Sequence, residues 1–178
     1  GTLTINPTGG GSGPLLLFGN SSSIGGSGSI VLNANPANLD TAYITWNGGA
    51  EVFTNTAAHS VRGTGRIYVI MVNNGTVSAD VSGRRLELVS GSKTNNALVR
   101  AISGGQLALS SVALNQSAAG RTVAEAGSSW TLSNATISGG RLEVSPGGTG
   151  TITGTVLFTS LTTSGIMSSV GGSNLQFN

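Results

Sequence analysis

Short stretches in which apolar and polar residues alternate occur along the whole chain, and glycine or serine precedes each one. The first is GTLTI at 1–5, and similar stretches return at 28–32, 65–69, 105–109 and 140–144, with variants at 129–132 and 173–177. A period of two places one side of each stretch in a core and the other side in solvent. We therefore predict a series of strands, each about five residues long.

These stretches recur with a period of about twenty residues. The glycines that mark this period are Gly63, Gly83, Gly104, Gly127, Gly147 and Gly171. A unit of two or three short strands cannot bury its apolar side alone, so it has to stack on its neighbours. The sequence predicts an all-β fold, a single-stranded right-handed parallel β-solenoid (β-helix) of about nine rungs of ~20 residues. We expect one domain over 1–178, with less regular rungs in 1–50 and the clearest repeats in 58–145.

A β-sandwich is the main structural alternative, because Asn73-Asn74-Gly75 is typical of a hairpin turn. The same residues suit a solenoid corner, since Asn and Gly tolerate positive φ. A sandwich spaces its strands about 8–12 residues apart, so the longer glycine period favours the solenoid. In that fold we expect Asn74, Asn115 and Asn134 to stack as hydrogen-bonded ladders at a corner.

The composition mainly excludes functions. Only 8% of residues are charged, against about 25% in an ordinary soluble domain. The chain has no cysteine, which excludes thiolate nucleophiles and cysteine metal sites. The doublet Arg84-Arg85 is too small for a nucleic-acid surface, and the apolar run 15–18 is far shorter than the ~20 residues of a membrane span. We predict no cofactor, no metal site, no nucleic-acid partner and no membrane span.

Four segments in the middle of the chain resemble the successive steps of bacterial exported β-helix repeat proteins. AHSVRGTGRI at 58–67 resembles their x-x-I-x-G-x-G-x-I step, and VNNGTVSAD at 72–80, SGRRLEL at 82–88 and LVRAISGGQL at 98–107 follow in the same order. Such repeats occur in adhesin, autotransporter-like and PEP-CTERM-type surface proteins. The resemblance covers about 58–145 and implies an extracellular or cell-surface bacterial solenoid without catalytic residues. This chain departs from the family in being short.

Carboxylates are the groups that polysaccharide-cleaving β-helices require, either to hold Ca²⁺ or to act as acid and base. Asp80 and Glu87 flank the arginine doublet, and Trp46 offers an aromatic face for a sugar ring. If Trp46, Asp80, Arg84 and Glu87 converge in a groove, the chain is a carbohydrate-binding or polysaccharide-lyase-like module. The simpler interpretation is a corner aspartate and a solvated strand glutamate, and the repeated pattern RLEL at 85–88 and RLEV at 141–144 predicts ion pairs between exposed charges on neighbouring rungs. His59, the only histidine, has no triad partners, and we expect it at a solvent-facing corner.

The two ends of the column are the candidate contact surfaces, because a solenoid exposes an unpaired strand edge at each end. Neither end of the sequence carries a charge cluster or a helical pattern. The candidate stacking residues are Thr2, Leu3, Thr4, Ile5, Leu15, Leu16, Leu17 and Phe18 at one end and Asn174, Leu175, Gln176, Phe177 and Asn178 at the other.

The expected partner at these ends is a second copy stacked head to tail, or flanking rungs of a longer chain, with surface glycans as a further candidate. Because the sequence begins at Gly1 with no recognisable signal peptide, we interpret it as a processed chain or an excised fragment. The sequence predicts a non-enzymatic, extracellular structural or adhesive β-solenoid that serves as a fibre subunit. The alternative is the carbohydrate-binding or lyase-like module.

Overall fold

A computed structural model of the protein describes residues 1–6 and 13–178 and consists of strands joined by short corners. The strands are β1 (Thr2–Ile5), β2 (Leu15–Phe18), β3 (Ser22–Ile24), β4 (Ser29–Asn33), β5 (Tyr43–Trp46), β6 (Val52–Asn55), β7 (Ser60–Ile67), β8 (Ile70–Asn73), β9 (Thr76–Ala79), β10 (Arg85–Val89), β11 (Ser92–Asn95), β12 (Leu98–Ala101), β13 (Gln106–Ser110), β14 (Ala113–Gln116), β15 (Arg121–Ala124), β16 (Ser129–Ser133), β17 (Thr136–Ser138), β18 (Arg141–Val144), β19 (Thr149–Thr153), β20 (Thr155–Thr159), β21 (Thr162–Ser164), β22 (Met167–Ser169) and β23 (Asn174–Phe177). Over the described ranges, the single helical segment is a 3₁₀ turn, Leu39–Thr41.

Every third strand belongs to the same face of the column. Sheet A contains β1, β4, the first half of β7, β9, β12, β15, β18 and β21. Sheet B contains β2, β5, the second half of β7, β10, β13, β16, β19 and β22. Sheet C contains β3, β6, β8, β11, β14, β17, β20 and β23. All pairings between these strands are parallel, which confirms the parallel β-solenoid and rules out the sandwich. The right hand of the coil stays a prediction.

The number of rungs is smaller than predicted. A rung is one turn of the coil, with one strand in each sheet. About six regular turns follow from β7 onward, and equivalent residues of neighbouring turns between β9 and β20 are 20 to 23 positions apart. The turns before β7 are longer, since Asn6 and Asn33 are 27 positions apart and Ser21 and Val52 are 31 apart. Because these early turns use more chain than the period of about twenty, the prediction of nine rungs is wrong, and sheet C stacks eight strands.

The core is made of columns of inward side chains that stack from turn to turn. In sheet B, Ile44, Ile67, Leu88, Leu109 and Leu132 lie directly above one another. All five are fully buried. Burying such a side chain stabilises the fold by about 1.5–3 kcal/mol, so the stacked columns are the main source of stability. The alternation read from the sequence therefore identified the inward positions correctly.

Trp130 belongs to the core and fixes the size of its neighbour. It is fully buried, and its indole N–H donates to the carbonyl of Glu143 at 2.9 Å. Gly150 lies beside it in the next strand of sheet B. A Cβ at Gly150 would meet the indole ring at 2.6 Å, so this position has room only for glycine.

Glycine marks the corner between sheets A and B. Gly83, Gly104, Gly127 and Gly147 have φ of 66°, 77°, 72° and 79°, a left-handed conformation in which glycine is favoured. These corners also bond to each other, because the N–H of Gly83 donates to the carbonyl of Gly104 at 2.9 Å, and Gly127 bonds to Gly147 at 2.8 Å. The predicted glycine period is confirmed at these four positions.

A buried amide ladder runs up the inside of the column where sheet C ends. It consists of Asn55, Asn73, Asn95 and Gln116, all of them buried. The side-chain amide of each asparagine donates to the side-chain oxygen of the next residue, at 2.7, 2.9 and 3.0 Å. Each of the four also donates to a backbone carbonyl of the strand beyond the corner.

The ladder predicted from the sequence was assigned to the wrong residues. Asn74 does pair across turns, but it accepts a bond from Asn96 at 2.8 Å. Asn115 bonds to Ser92 at 3.3 Å, and Asn134 accepts from the backbone N–H of Thr155 at 3.1 Å. Asn115 points outward because the period of two in β14 turns Gln116 inward, and Asn74 and Asn134 lie at corners outside the strands.

Candidate functional site

Charged side chains are unevenly distributed over the three faces. Within the described part of sheet C, Lys93 is the only charged residue, and its side chain is buried inside the column. The outer face of sheet C therefore carries hydroxyl, amide and aliphatic side chains alone. The other charged side chains lie on sheets A and B and at the corner between them, except that of Glu51, which directly precedes β6 at the corner between sheets B and C.

Ion pairs between neighbouring turns hold most of the carboxylates of sheet A. Arg121 contacts Glu143 at 2.5 Å, with a second bond from its Nε at 3.1 Å, and Arg100 contacts Glu125 at 3.4 Å. The hydrogen bond with Glu143 raises the pKa of the Arg121 guanidinium. Exposed pairs of this kind stabilise a protein by about 0–1 kcal/mol each. Glu143 thus pairs with an arginine of a neighbouring turn, as predicted, whereas Arg85 and Arg141 contact no carboxylate in the described residues.

Arg66 is the centre of the densest polar cluster. Its Nη1 contacts Asp40 at 2.5 Å and its Nε contacts Glu87 at 2.8 Å. Tyr68 donates to Asp40 at 2.7 Å, and Ser110 donates to Glu87 at 2.6 Å. Burial alone would raise the pKa of Asp40, but the bonds from Tyr68 and Arg66 lower it below its usual value. Arg66, Tyr68 and Ser110 thus hold both carboxylates, and Glu87 is buried instead of solvated as predicted.

The structure does not bring the proposed lyase residues together. Asp80 contacts Arg62 at 3.1 Å, whereas Glu87 is bound by Arg66. Arg84 donates to the backbone carbonyl of Ala34. Trp46 packs against the hydrophobic core. Since each of the four has a different environment, they form no common groove of acid, base and aromatic side chain.

His59 lies at a corner, but it is buried and not exposed to solvent as the sequence predicted. Its Nδ1 is 2.7 Å from Oδ1 of Asn55, the first amide of the buried ladder. Because the amide nitrogen of Asn55 donates to Asn73, that oxygen acts as the acceptor and Nδ1 carries the hydrogen. Burial lowers the pKa of His59. His59 is buried because its ring lies over the first amide of the ladder and bonds to it.

Lys93 is a buried cation that the sequence analysis missed. Its side chain is 1% exposed, and its Nζ donates to the backbone carbonyls of Ser90, Val89 and Tyr68 at 2.6, 3.2 and 3.3 Å. No carboxylate contacts it among the described residues. Burial lowers the pKa of Lys93 to about 7. The alternation of residues in β11 does place the Lys93 side chain on the inward side. Lysine is rarely buried, so the pattern alone gave no reason to expect a charge in the core.

The arginine doublet lines an open recess at the corner between sheets A and B. The recess has a volume of about 240 Å³ and is lined by Pro36, Leu39, Gly83, Arg84, Arg85 and Gln106. Pro36 and Leu39 belong to the connection between β4 and β5, which includes the 3₁₀ turn. We call these six residues the arginine recess. It combines two cations, an amide and an apolar wall in one place.

In the described residues, the first and last strands of each sheet have open edges with apolar side chains, and their role in stacking stays a prediction. Within 1–6 and 13–178, β1, β2 and β3 each pair with one neighbour, and so do β21, β22 and β23. Leu3 is 48% exposed and Phe177 is 72% exposed, although both point along the inward columns. Leu15 and Leu17 point to the outer side of sheet B and are exposed. Ile5 and Phe18 are buried. The ring of Phe18 stacks on that of Phe53, with ring centres 4.9 Å apart.

Within the ranges 1–6 and 13–178, no three or more His, Cys, Asp or Glu side chains are grouped so that they could hold a metal ion. No helix in those ranges is long and apolar enough to cross a membrane. Comparisons with protein-family models, with curated proteins and with solved structures found no match to this chain.

Proposed function

We propose that this protein is a non-enzymatic structural or adhesive building block, whose column is extended by further rungs at its two ends. The observation that carries the proposal is the pair of open edges. Each end presents three strands whose outer backbone groups have no strand partner in the described residues. Unpaired edges with exposed apolar side chains favour the addition of another strand. The added rung belongs to a second copy, stacked head to tail, or to the same polypeptide.

The inward columns support head-to-tail addition because their two ends are complementary in size. One column of sheet A begins at Leu3 and ends at Thr163. One column of sheet C begins at the small Ser22 and ends at the large Phe177. A copy stacked in register therefore places Phe177 over Ser22 and Thr163 over Leu3. Large side chains meet small ones in both columns, which is the arrangement that packs without voids.

The experiment measures self-association of the 178-residue polypeptide by sedimentation velocity and electron cryomicroscopy over a range of concentrations. We expect rods longer than one column, and their length should increase with concentration, because a head-to-tail contact leaves each new end open. Phe177→Asp places a charge in the contact and is expected to weaken association by at least about tenfold.

Val81→Asp is the matched control. Val81 is 37% exposed in the corner between β9 and β10, far from both ends, so the same charge there should leave association unchanged. Particles that keep the length of a single column at the highest concentration would contradict stacking between copies. Equal effects of the two aspartate variants would contradict a contact through the strand edges.

The cellular location of the protein and its relation to other β-helix proteins are proposed from the sequence alone. The resemblance of 58–145 to bacterial exported β-helix repeats supports an extracellular or cell-surface site of action and a right-handed coil, since crossovers between parallel strands are nearly always right-handed. The lack of a shared groove for Asp80, Arg84 and Glu87 favours the structural role over the lyase-like alternative.

A further inference from the structure

We infer that the arginine recess binds the carboxylate of a uronic acid unit in an acidic glycan. This inference is independent of the stacking at the ends, because the recess lies at the side of the column, in its middle turns. It rests on the charges, the preorganisation and the shape of the recess.

Arg84 and Arg85 have no carboxylate partner in the described residues, unlike four of the other five arginines. Arg62, Arg66, Arg100 and Arg121 all contact Asp or Glu within 4.0 Å, whereas neither member of the doublet does in the described residues. Two adjacent guanidinium groups repel each other unless an anion lies between them. The recess thus has uncompensated positive charge that a ligand carboxylate would neutralise.

One of the two guanidinium groups is held in place. Arg84 reaches from its corner to the connection between β4 and β5, where Nη2 donates to the carbonyl of Ala34. This bond uses one of the five donors of the guanidinium group and leaves the others for a ligand. An arginine that is already oriented loses less conformational entropy when it forms a bidentate pair with a carboxylate.

The nearby carboxylates compensate the charge of the recess only in part. Asp40 lies next to Leu39 in sequence, but it is bound by Arg66 and Tyr68. Asp80 precedes the doublet on the same corner and is bound by Arg62. Glu87 shares Arg66 with Asp40, so these three groups leave one net negative charge, and with the two arginines of the doublet the region keeps about one net positive charge.

The shape and the remaining lining favour a sugar ring as the body of the ligand. The recess is open to solvent and has a volume of about 240 Å³, so one unit of a longer chain can enter from the side. Pro36 and Leu39 form an apolar wall on which the C–H face of a pyranose can pack. Gln106 lies beside Arg85 on the next strand of sheet B, and its amide can donate to or accept from a ring hydroxyl.

The experiment titrates the whole protein with tri-galacturonic acid by isothermal calorimetry at low salt. We expect saturable binding that weakens as salt is added, because the contact is between opposite charges at the surface. Arg85→Ala removes an exposed side chain and is expected to weaken binding by at least about tenfold. Arg84→Lys keeps the charge but loses the fork of donors, so it should also weaken binding.

Arg141→Ala is the matched control. Arg141 also has no carboxylate within 4.0 Å among the described residues, but it lies on the outer face of sheet A and not in the recess. Its removal changes the net charge equally and should leave binding within about twofold. Methyl-esterified tri-galacturonate is the matched ligand, and we expect no binding because the carboxylates are blocked.

Three results would overturn the inference. The first is no heat of binding with the wild-type protein at millimolar trisaccharide. The second is an equal loss of affinity in the Arg85→Ala and Arg141→Ala variants, which would show attraction to the net charge only. The third is binding of an acidic peptide, such as tri-aspartate, as tightly as the trisaccharide, which would show that the sugar ring contributes nothing.

Discussion

The amine of Lys93 lies in a column where the neighbouring turns have apolar side chains. Met71 precedes it and Leu114 follows it in sheet C. Three backbone carbonyls replace the water around the ammonium group, but no anion balances its charge in the described part of the chain. Burying a charge without a counter-ion costs free energy, and the group responds by a lowered pKa.

Lys93 should make stability depend on pH. Its pKa is about 7 in the folded protein and about 10.4 in an unfolded chain. Between these values the unfolded state binds more protons, so the free energy of unfolding should rise as the pH rises from about 7 to about 10. Below pH 7 the ammonium is formed in both states and the full cost of burying it remains. Urea unfolding at several pH values measures this slope.

Lys93→Met is the informative variant, because methionine has a similar length and already occupies the preceding position of the column. The variant should lose the rise between pH 7 and 10 and should be more stable than the wild type at pH 6, by about 1–4 kcal/mol. His59 is unchanged in both proteins, so its titration does not affect the comparison. An identical slope in the two proteins would show that Lys93 is not the group responsible.

The buried amide ladder is a stabilising element that crosses the turns. Asn73 shows why it is sensitive to substitution. Its side chain accepts from Asn55, donates to Asn95 and to the carbonyl of Leu98, and also accepts from the N–H of Gly75 at 3.3 Å. These groups are out of contact with water. Loss of one amide therefore leaves several donors and acceptors without partners.

Asn73→Ala should lower the free energy of unfolding by about 2–4 kcal/mol, since each buried group left unpaired costs about 1–3 kcal/mol. Asn115→Ala is the control, because the Asn115 side chain is exposed and, among the described residues, bonds to Ser92 alone. It should change stability by less than about 0.5 kcal/mol. Chemical denaturation of both variants measures the difference. Equal effects would mean that the ladder contributes no more than a surface asparagine.

The strands were predictable from the sequence, and the ladder only partly. Alternation placed Leu107 and Leu109 inside correctly, because a strand has only two sides and glycine marked where it began. The prediction of the ladder was wrong by one position at Asn73-Asn74, because a period of about twenty residues fits either asparagine. The arginine recess was not predictable from the sequence. Pro36 lies in the connection between β4 and β5 and Arg84 at the corner before β10, and only the fold brings these distant segments together.

The column as a whole should unfold from its ends. The central turns have a neighbour on both sides, whereas the first and last turns have one, and solenoid stability is a sum of contacts between neighbours. Hydrogen exchange should therefore be slowest in β10, β13 and β16 and at least about tenfold faster in β1 and β23. Mass spectrometry of labelled protein, at concentrations below self-association, measures this gradient. Uniform exchange along the column would contradict it.

The connection between β4 and β5 shows how such a column can acquire a site. It adds Pro36 and Leu39 to the outside of the coil, while Leu32 before it and Ile44 after it stay in the stacked core. Corners are thus free to vary in length and chemistry as long as the strands keep their register. A binding loop grafted at another corner should be accepted with the scaffold intact, so recognition and architecture can evolve separately in this molecule.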